Sequence, residues 1–257
     1  MINHFINVYT STLVSSLTGW KGTTGSRKTE QPEKEIVLFD REGCPDCRSV
    51  RQVITELNLD VKILPCPEGG TRFKHTLKEV SGSVQIPCLV DENTGQKLIS
   101  KEIIIEYLFN EYGKKAVPQK YSGTRFDGVI NWTSQLLRGG RGEKARSSLM
   151  PEKPLTLYSF ESSPFSRPVR ELLCELEIPY TMVSLGKQQS ADMGPAAFRF
   201  HRGPYKPVKD SKRERFLAEH GDVMVPYLED PNTGEKLFQS KKILNYLQRT
   251  YGQAGNK

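Results

Sequence analysis

One order of residues occurs twice in this chain, about 119 positions apart, and that repeat limits the fold more than any other feature. Ser163 falls on Cys44, Pro164 on Pro45, Ser166 on Cys47 and Arg170 on Arg51. Further on, Val225-Pro226-Tyr227-Leu228 matches Ile86-Pro87-Cys88-Leu89, and Asp230-Pro231-Asn232-Thr233-Gly234 matches Asp91 to Gly95. Lys236-Leu237 matches Lys97-Leu98, Asn245-Tyr246-Leu247 matches Glu106-Tyr107-Leu108, and both copies close on Tyr-Gly, at Tyr112-Gly113 and Tyr251-Gly252. The second copy carries about 20 extra residues around Gly186 to Lys206, between its second strand and its proline.

Each copy reads as strand, helix, strand, helix, β-hairpin, helix. In the first, Ile36 to Phe39 forms a short buried strand, and Val50, Val53, Ile54 and Leu57 recur at helical spacing. Val61 to Leu64 is a second strand, residues 72–80 are helical, and Gln85 to Val90 returns to strand. The turn Asp91 to Gly95 leads into a strand at Lys97 to Ile99, then a helix with Ile103, Ile104, Tyr107 and Leu108 on one face. The expected organisation is an N-terminal segment at 1–34, helical and then flexible; a first domain at 35–113; a linker at 114–153; and a second domain at 154–252. The linker holds one helix, Phe126 to Leu137 with Trp132, followed by Arg138-Gly139-Gly140-Arg141-Gly142. That loop could bind an anion, but a flexible, solvated connector is the simpler expectation.

Chemistry concentrates at Cys44-Pro45-Asp46-Cys47, between the first strand and the first helix. Pro45 suits the first helical position, so Cys44 sits at the helix start with Cys47 one turn inside. Unpaired N–H groups and the helix dipole there stabilise a thiolate, and Arg41, Arg48 and Arg51 add positive charge. A lone C-x-x-C also fits half a zinc site, or two buried cysteines without chemistry. A zinc site needs a second pair, yet Cys66, Cys88 and Cys174 are isolated and His4, His75, His201 and His220 form no close pair. A reactive Cys44 with Cys47 as resolving thiol, and no metal, is the reading adopted. Cys88 and Cys174 read as core; Cys66 is open to a redox role.

Of the 257 residues 36% are hydrophobic, enough for packed cores, and no apolar run approaches the roughly 18 residues that span a bilayer. The net charge of +7 is spread among interleaved acids, and no nucleic-acid motif accompanies it. Five cysteines in a chain this long suit a reducing, cytoplasmic compartment. The N-terminal Phe5, Ile6, Val8, Leu13, Val14 and Leu17 lack the flanks of a secretory signal. They suit an amphipathic helix that docks on the body or on a partner, or that could contact a membrane surface weakly.

Together these residues resemble the thioredoxin superfamily, specifically the glutaredoxin-like N-terminal domain of glutathione transferases, present twice. The resemblance rests on C-P-x-C or S-P-x-S after a strand, then Ile-Pro or Val-Pro, then Asn-Thr-Gly and a closing helix. It is similar to tandem-domain proteins of plants and bacteria, sharing Arg-Gly-Gly-Arg-Gly with the later Pro-Glu-Lys-Pro-Leu, Cys66-Pro67, and Cys174-Glu175-Leu176-Glu177. It implies an α/β fold of two tandem thioredoxin-like domains joined by a partly helical linker. It further implies cis Pro87 and Pro226, with Ile86 and Val225 pairing to the cysteinyl backbone of glutathione. Gln239-Ser240 would hold the γ-glutamyl end in the second copy; the first has Ser100-Lys101 there, a departure in which Lys101 could meet a carboxylate or stay solvated.

The function implied is a glutathione-linked thiol–disulfide oxidoreductase, with glutathione as co-substrate and protein or small-molecule disulfides as partners. The second domain, with Ser163 and Ser166 for both thiols, would be a glutathione-binding or interaction module. Two alternatives stand beside it. One is a glutathione transferase working through Ser163, helped by Tyr158, although no all-helical transferase domain follows either copy. The other is a scaffold or an iron–sulfur cluster carrier, the cluster held by Cys44 and glutathione in a homodimer.

Overall fold

The computed structural model describes residues 4–121, 125–199 and 203–253. Helix α1 (His4–Leu17) precedes the first half, which runs β1 (Ile36–Asp40), α2 (Pro45–Glu56), β2 (Val61–Pro65), α3 (Lys74–Ser81), β3 (Cys88–Asp91), β4 (Gln96–Ile99) and α4 (Lys101–Glu111). Helix α5 (Arg125–Arg138) lies between the halves. The second half runs β5 (Leu155–Ser159), α6 (Arg167–Glu175), β6 (Tyr180–Ser184), α7 (Lys212–His220), β7 (Tyr227–Asp230), β8 (Glu235–Phe238) and α8 (Ser240–Thr250). The fold is therefore α/β, with the same thioredoxin-like order in each half.

Within each half the first two strands are parallel and need a helical crossover, supplied by α2 and α6. The hairpin strands add antiparallel, β3 on β1 and β7 on β5. The third strand is shorter than its apolar run suggests: β3 begins at Cys88, because Pro87 has no N–H to give the ladder. Each hairpin turn is tied by the repeated Asp-x-Asn. Asn93 N–H donates to Asp91 Oδ1 at 2.8 Å, while Tyr107 and Tyr112 hydroxyls donate to Asp91 Oδ2. Asp230, Asn232, Tyr246 and Tyr251 repeat that knot, which explains why both tyrosines recur in the sequence.

The two halves share one sheet. β2 pairs antiparallel with β6, Lys62 opposite Thr181, giving eight strands in the order β4-β3-β1-β2-β6-β5-β7-β8. A single apolar cluster crosses the seam beneath the helices, from Leu38, Val53 and Ile63 to Leu157, Leu173 and Met182. On the opposite sheet face Phe39, Leu77 and Cys88 pack in the first half, and Leu185, Phe216 and Tyr227 in the second.

The connectors are held rather than loose, which corrects the expectation of a flexible, solvated linker. Glu68 N–H donates to Glu143 O at 2.6 Å, Ala145 N–H to Glu68 O at 2.8 Å, and Arg146 N–H to Glu175 O at 2.7 Å. Gly142 adopts a left-handed φ of +72°, and a Cβ there would lie 2.9 Å from Glu42 Cβ, so the loop passes where a side chain could not. Residues after α1 are fastened similarly, Gly25 N–H to Lys187 O and Ser26 N–H to Glu56 O. No helix among the described residues is long and apolar enough to cross a membrane.

Candidate active site

Cys44 is the N-cap of α2, with extended backbone (φ −68°, ψ 126°) and Pro45 beginning the helix. Its sulfur lies where the first helical amides have no intrahelical acceptor. A hydrogen bond from the Cys47 thiol brings the Cys44 thiol down to about 7 against the opposing effect of burial, and the Cys47 and Asp46 amides contribute in the same direction. Cys47 moves the opposite way, pushed well above the ordinary thiol value by burial and by its donation to Cys44. The motif thus holds one thiol poised to ionise near neutrality and one kept protonated.

The linker roofs this site. Gly43 N–H donates to Gly142 O at 3.2 Å, and Arg41 is paired with Glu143 at 3.2 Å and with Glu68 at 2.9 Å. Cys44 is only 8% exposed. Beside it, Lys101 reaches Asp46 Oδ1 at 2.6 Å, so the carboxylate it meets belongs to the C-P-D-C motif itself. The peptide bonds Ile86-Pro87 and Val225-Pro226 are cis. Ser100 and Gln239 hold equivalent N-cap places before α4 and α8, both with positive φ, 79° and 71°. Non-glycine residues rarely accept that region, and such outliers gather at ligand clamps.

In the second half the equivalent loop is closed. Helix α6 starts at Arg167 rather than after Ser163, with Ser166 as N-cap. Ser166 donates through its hydroxyl (2.9 Å) and its amide (3.2 Å) to Ser163 Oγ, and Ser163 is 1% exposed. Helix α1 crosses the loop. Ser15 Oγ donates to Ser162 O at 2.8 Å, and His4 Nε2 lies 3.3 Å from Ser240 Oγ. Ser240 therefore meets a residue of its own chain; it is the first residue of α8, whose N-cap Gln239 makes no side-chain cap hydrogen bond. Tyr158 is not near Ser163 in role or place: strand alternation sends it to the opposite sheet face, 4.8 Å from the Phe216 ring.

Beneath both loops lies a buried lattice of charges. Arg51 binds Asp40 of its own half at 2.6 Å and Glu161 of the other at 2.9 Å. Arg170 reciprocates, bonding Ser159 Oγ of its half and Glu42 of the first half at 3.0 Å. Glu161 is held down to about 2: burial opposes ionisation, but the Arg170 and Arg51 guanidiniums outweigh it. Cys174 also spans the halves, its sulfur 3.4 Å from the Glu42 amide and 3.3 Å from Gly142 O. Cys88 is fully buried, and half-buried Cys66 is pushed up to about 12 by burial. Among the described residues no group of three or more His, Cys, Asp or Glu gathers as a metal site.

Sequence reading missed Glu42, Glu161, Glu143 and the α1 contacts. The first two occupy the same place in each repeat, a signal that was available; the others belong to no motif. The family model described as glutathione S-transferase, N-terminal domain, matches residues 38–116 and again residues 157–255. No curated protein and no solved structure matches the chain.

Proposed function

The chain belongs to the glutathione S-transferase N-terminal-domain family in both halves, and on that premise we propose that it is a glutathione-linked thiol–disulfide oxidoreductase working through Cys44. The observation that carries this reading is the opposed pair of thiols, Cys44 lowered to about 7 and Cys47 raised. The Cys44 thiolate attacks a glutathione mixed disulfide at the glutathione sulfur. The Cys44–glutathione disulfide forms, the old S–S bond breaks, and the substrate leaves as thiolate. A second glutathione thiolate then attacks the glutathione sulfur, releasing oxidised glutathione and restoring Cys44. Burial still opposes ionisation of Cys47, which favours this route over internal resolution. Ile86, Pro87 and Ser100 would line the glutathione site of this half.

For the second half, Val225, Pro226, Gln239, Ser240 and Ser163 would be the equivalent glutathione groups. Burial of Ser163 beneath α1 favours an interaction module that holds the chain's own first helix over a transferase centre. An iron–sulfur cluster on Cys44 has no observation in its favour. The deciding experiment follows Cys44 alkylation by iodoacetamide against pH, with and without glutathione, alongside disulfide reduction by Cys44→Ser. Half-maximal reactivity near pH 7, protection by glutathione and loss of reduction in the variant are expected. An unshifted Cys44, or reduction surviving in Cys44→Ser, would overturn the mechanism.

A further inference from the structure

Arg48 and Arg167 follow Cys47 and Ser166 and occupy equivalent places in the two repeats, yet neither joins the reciprocal pairing of Arg51 and Arg170. Both are buried, 3% and 2% exposed. The ion pairs around them belong to Arg51, Arg138 and Arg170. Arg167 spends one nitrogen on Ser15 Oγ of α1, at 3.2 Å. Arg48 Nη1 and Arg167 Nε and Nη1 donate to nothing among the described residues. Two buried hydroxyls on the helices that pack here, α1 and α5, are unpaired as well. Ser11 Oγ is fully buried one turn before Ser15 on the same face of α1, and Ser134 Oγ is fully buried one turn before Arg138 on α5. Arg138 itself grips Asn7 O and Thr10 Oγ1, so α5 and α1 run side by side there.

Pairing points the same way. Five buried guanidiniums (Arg48, Arg51, Arg138, Arg167 and Arg170) lie among five buried carboxylates (Asp40, Glu42, Glu143, Glu161 and Glu171), and among the described residues none of those carboxylates forms an ion pair with Arg48 or Arg167. Unpaired charged donors this deep are costly, and in folded proteins they have an ion or a water to receive them. We propose that Arg48 and Arg167, with the Ser11 and Ser134 hydroxyls as further donors, form a seat for one small monovalent anion of halide size at the junction of α1, α2, α5 and α6. The unpaired groups are almost all donors, and burial under α1 excludes a carboxylate-bearing metabolite. Burial and the neighbouring Arg48 lower Arg167 to about 9, a repulsion that a bound anion relieves. Because Ser11 and Ser15 belong to α1, the anion also fastens that helix across the second half.

Water is the rival occupant, since Glu161 Oε1 is an unpaired acceptor in the same lattice. The test compares thermal unfolding of the full chain in sodium chloride and in sodium gluconate at equal ionic strength. A saturating rise in Tm of about 2–4 °C in chloride is expected, and Arg48→Met or Arg167→Met should abolish it. Crystals grown in bromide give a second readout on the unaltered chain, an anomalous peak between the two guanidiniums. Equal Tm values in the two salts, or no bromide peak at that place, would overturn the proposal even if the variants fail to fold.

Discussion

At Cys44 and Cys47 two identical thiols, three residues apart, are driven in opposite directions by where each sits on one helix. Cys44 gains donors at the helix start, and Cys47 gives one while losing water. Cys47→Ala removes the largest influence on Cys44, so the midpoint of its alkylation should rise from about 7 toward the ordinary thiol value of about 8.5. Reactivity at pH 7 then falls by about tenfold, since the thiolate fraction drops as pH lies further below the midpoint. Cys47→Ser keeps a hydroxyl donor and should shift the midpoint less. An unchanged midpoint in Cys47→Ala would mean the amides alone set the value. The Cys44 site was legible because proline, spacing and flanking strand all follow from local rules. Glu42 and Glu161 were legible only as a repeated position: an acidic residue in a turn before a helix reads as solvated, and only the partner half makes it a core residue.

At the scale of elements, α2 and α6 are joined through carboxylates carried by each other's leading loops. Glu161→Gln leaves Arg51 and Arg170 short of a buried partner and should cost about 3–5 kcal/mol, read from urea unfolding. The acid dependence has a definite sign. Glu161 lies at about 2 in the fold and near 4.3 when unfolded, so its contribution is complete above about pH 5 and is lost progressively as pH falls from there through about 2. Glu161→Gln should therefore flatten the acid limb of the stability profile, and an unaltered limb would contradict the assignment. The apolar spacing of α1 announced an amphipathic helix, but periodicity carries no address. Its seat depends on Ser15, His4 and Asn7, polar residues that a hydropathy reading sets aside. The Arg-Gly loop after α5 misleads for a related reason, because its composition is that of a linker while Arg138 and Glu143 are buried.

For the whole molecule the decisive contact is β2 on β6, which turns two four-stranded sheets into one and removes two open edges. The repeat made both sheets predictable. Their joining was not, since nothing in Val61 to Pro65 distinguishes a strand that ends a sheet from one that continues it. With a shared core and lattice the chain should unfold in one calorimetric transition. Thr181→Pro deletes a β6 amide opposite Lys62 and should split the transition or lower its Tm. A single unaltered transition in that variant would show that the seam contributes little.

The seam also has a history in time. β2 is complete at Pro65, while its partner ends at Ser184. At about 5–20 residues per second a ribosome needs roughly 6–24 s to cover that interval. Throughout it, the nascent first half carries a bare strand edge and an Arg51 that has Asp40 and Glu42 beside it but whose third carboxylate, Glu161, has not yet been synthesised. The newborn chain is most exposed to mispairing with its neighbours on the same message during those seconds, and the arrival of Glu161 and β6 closes that window.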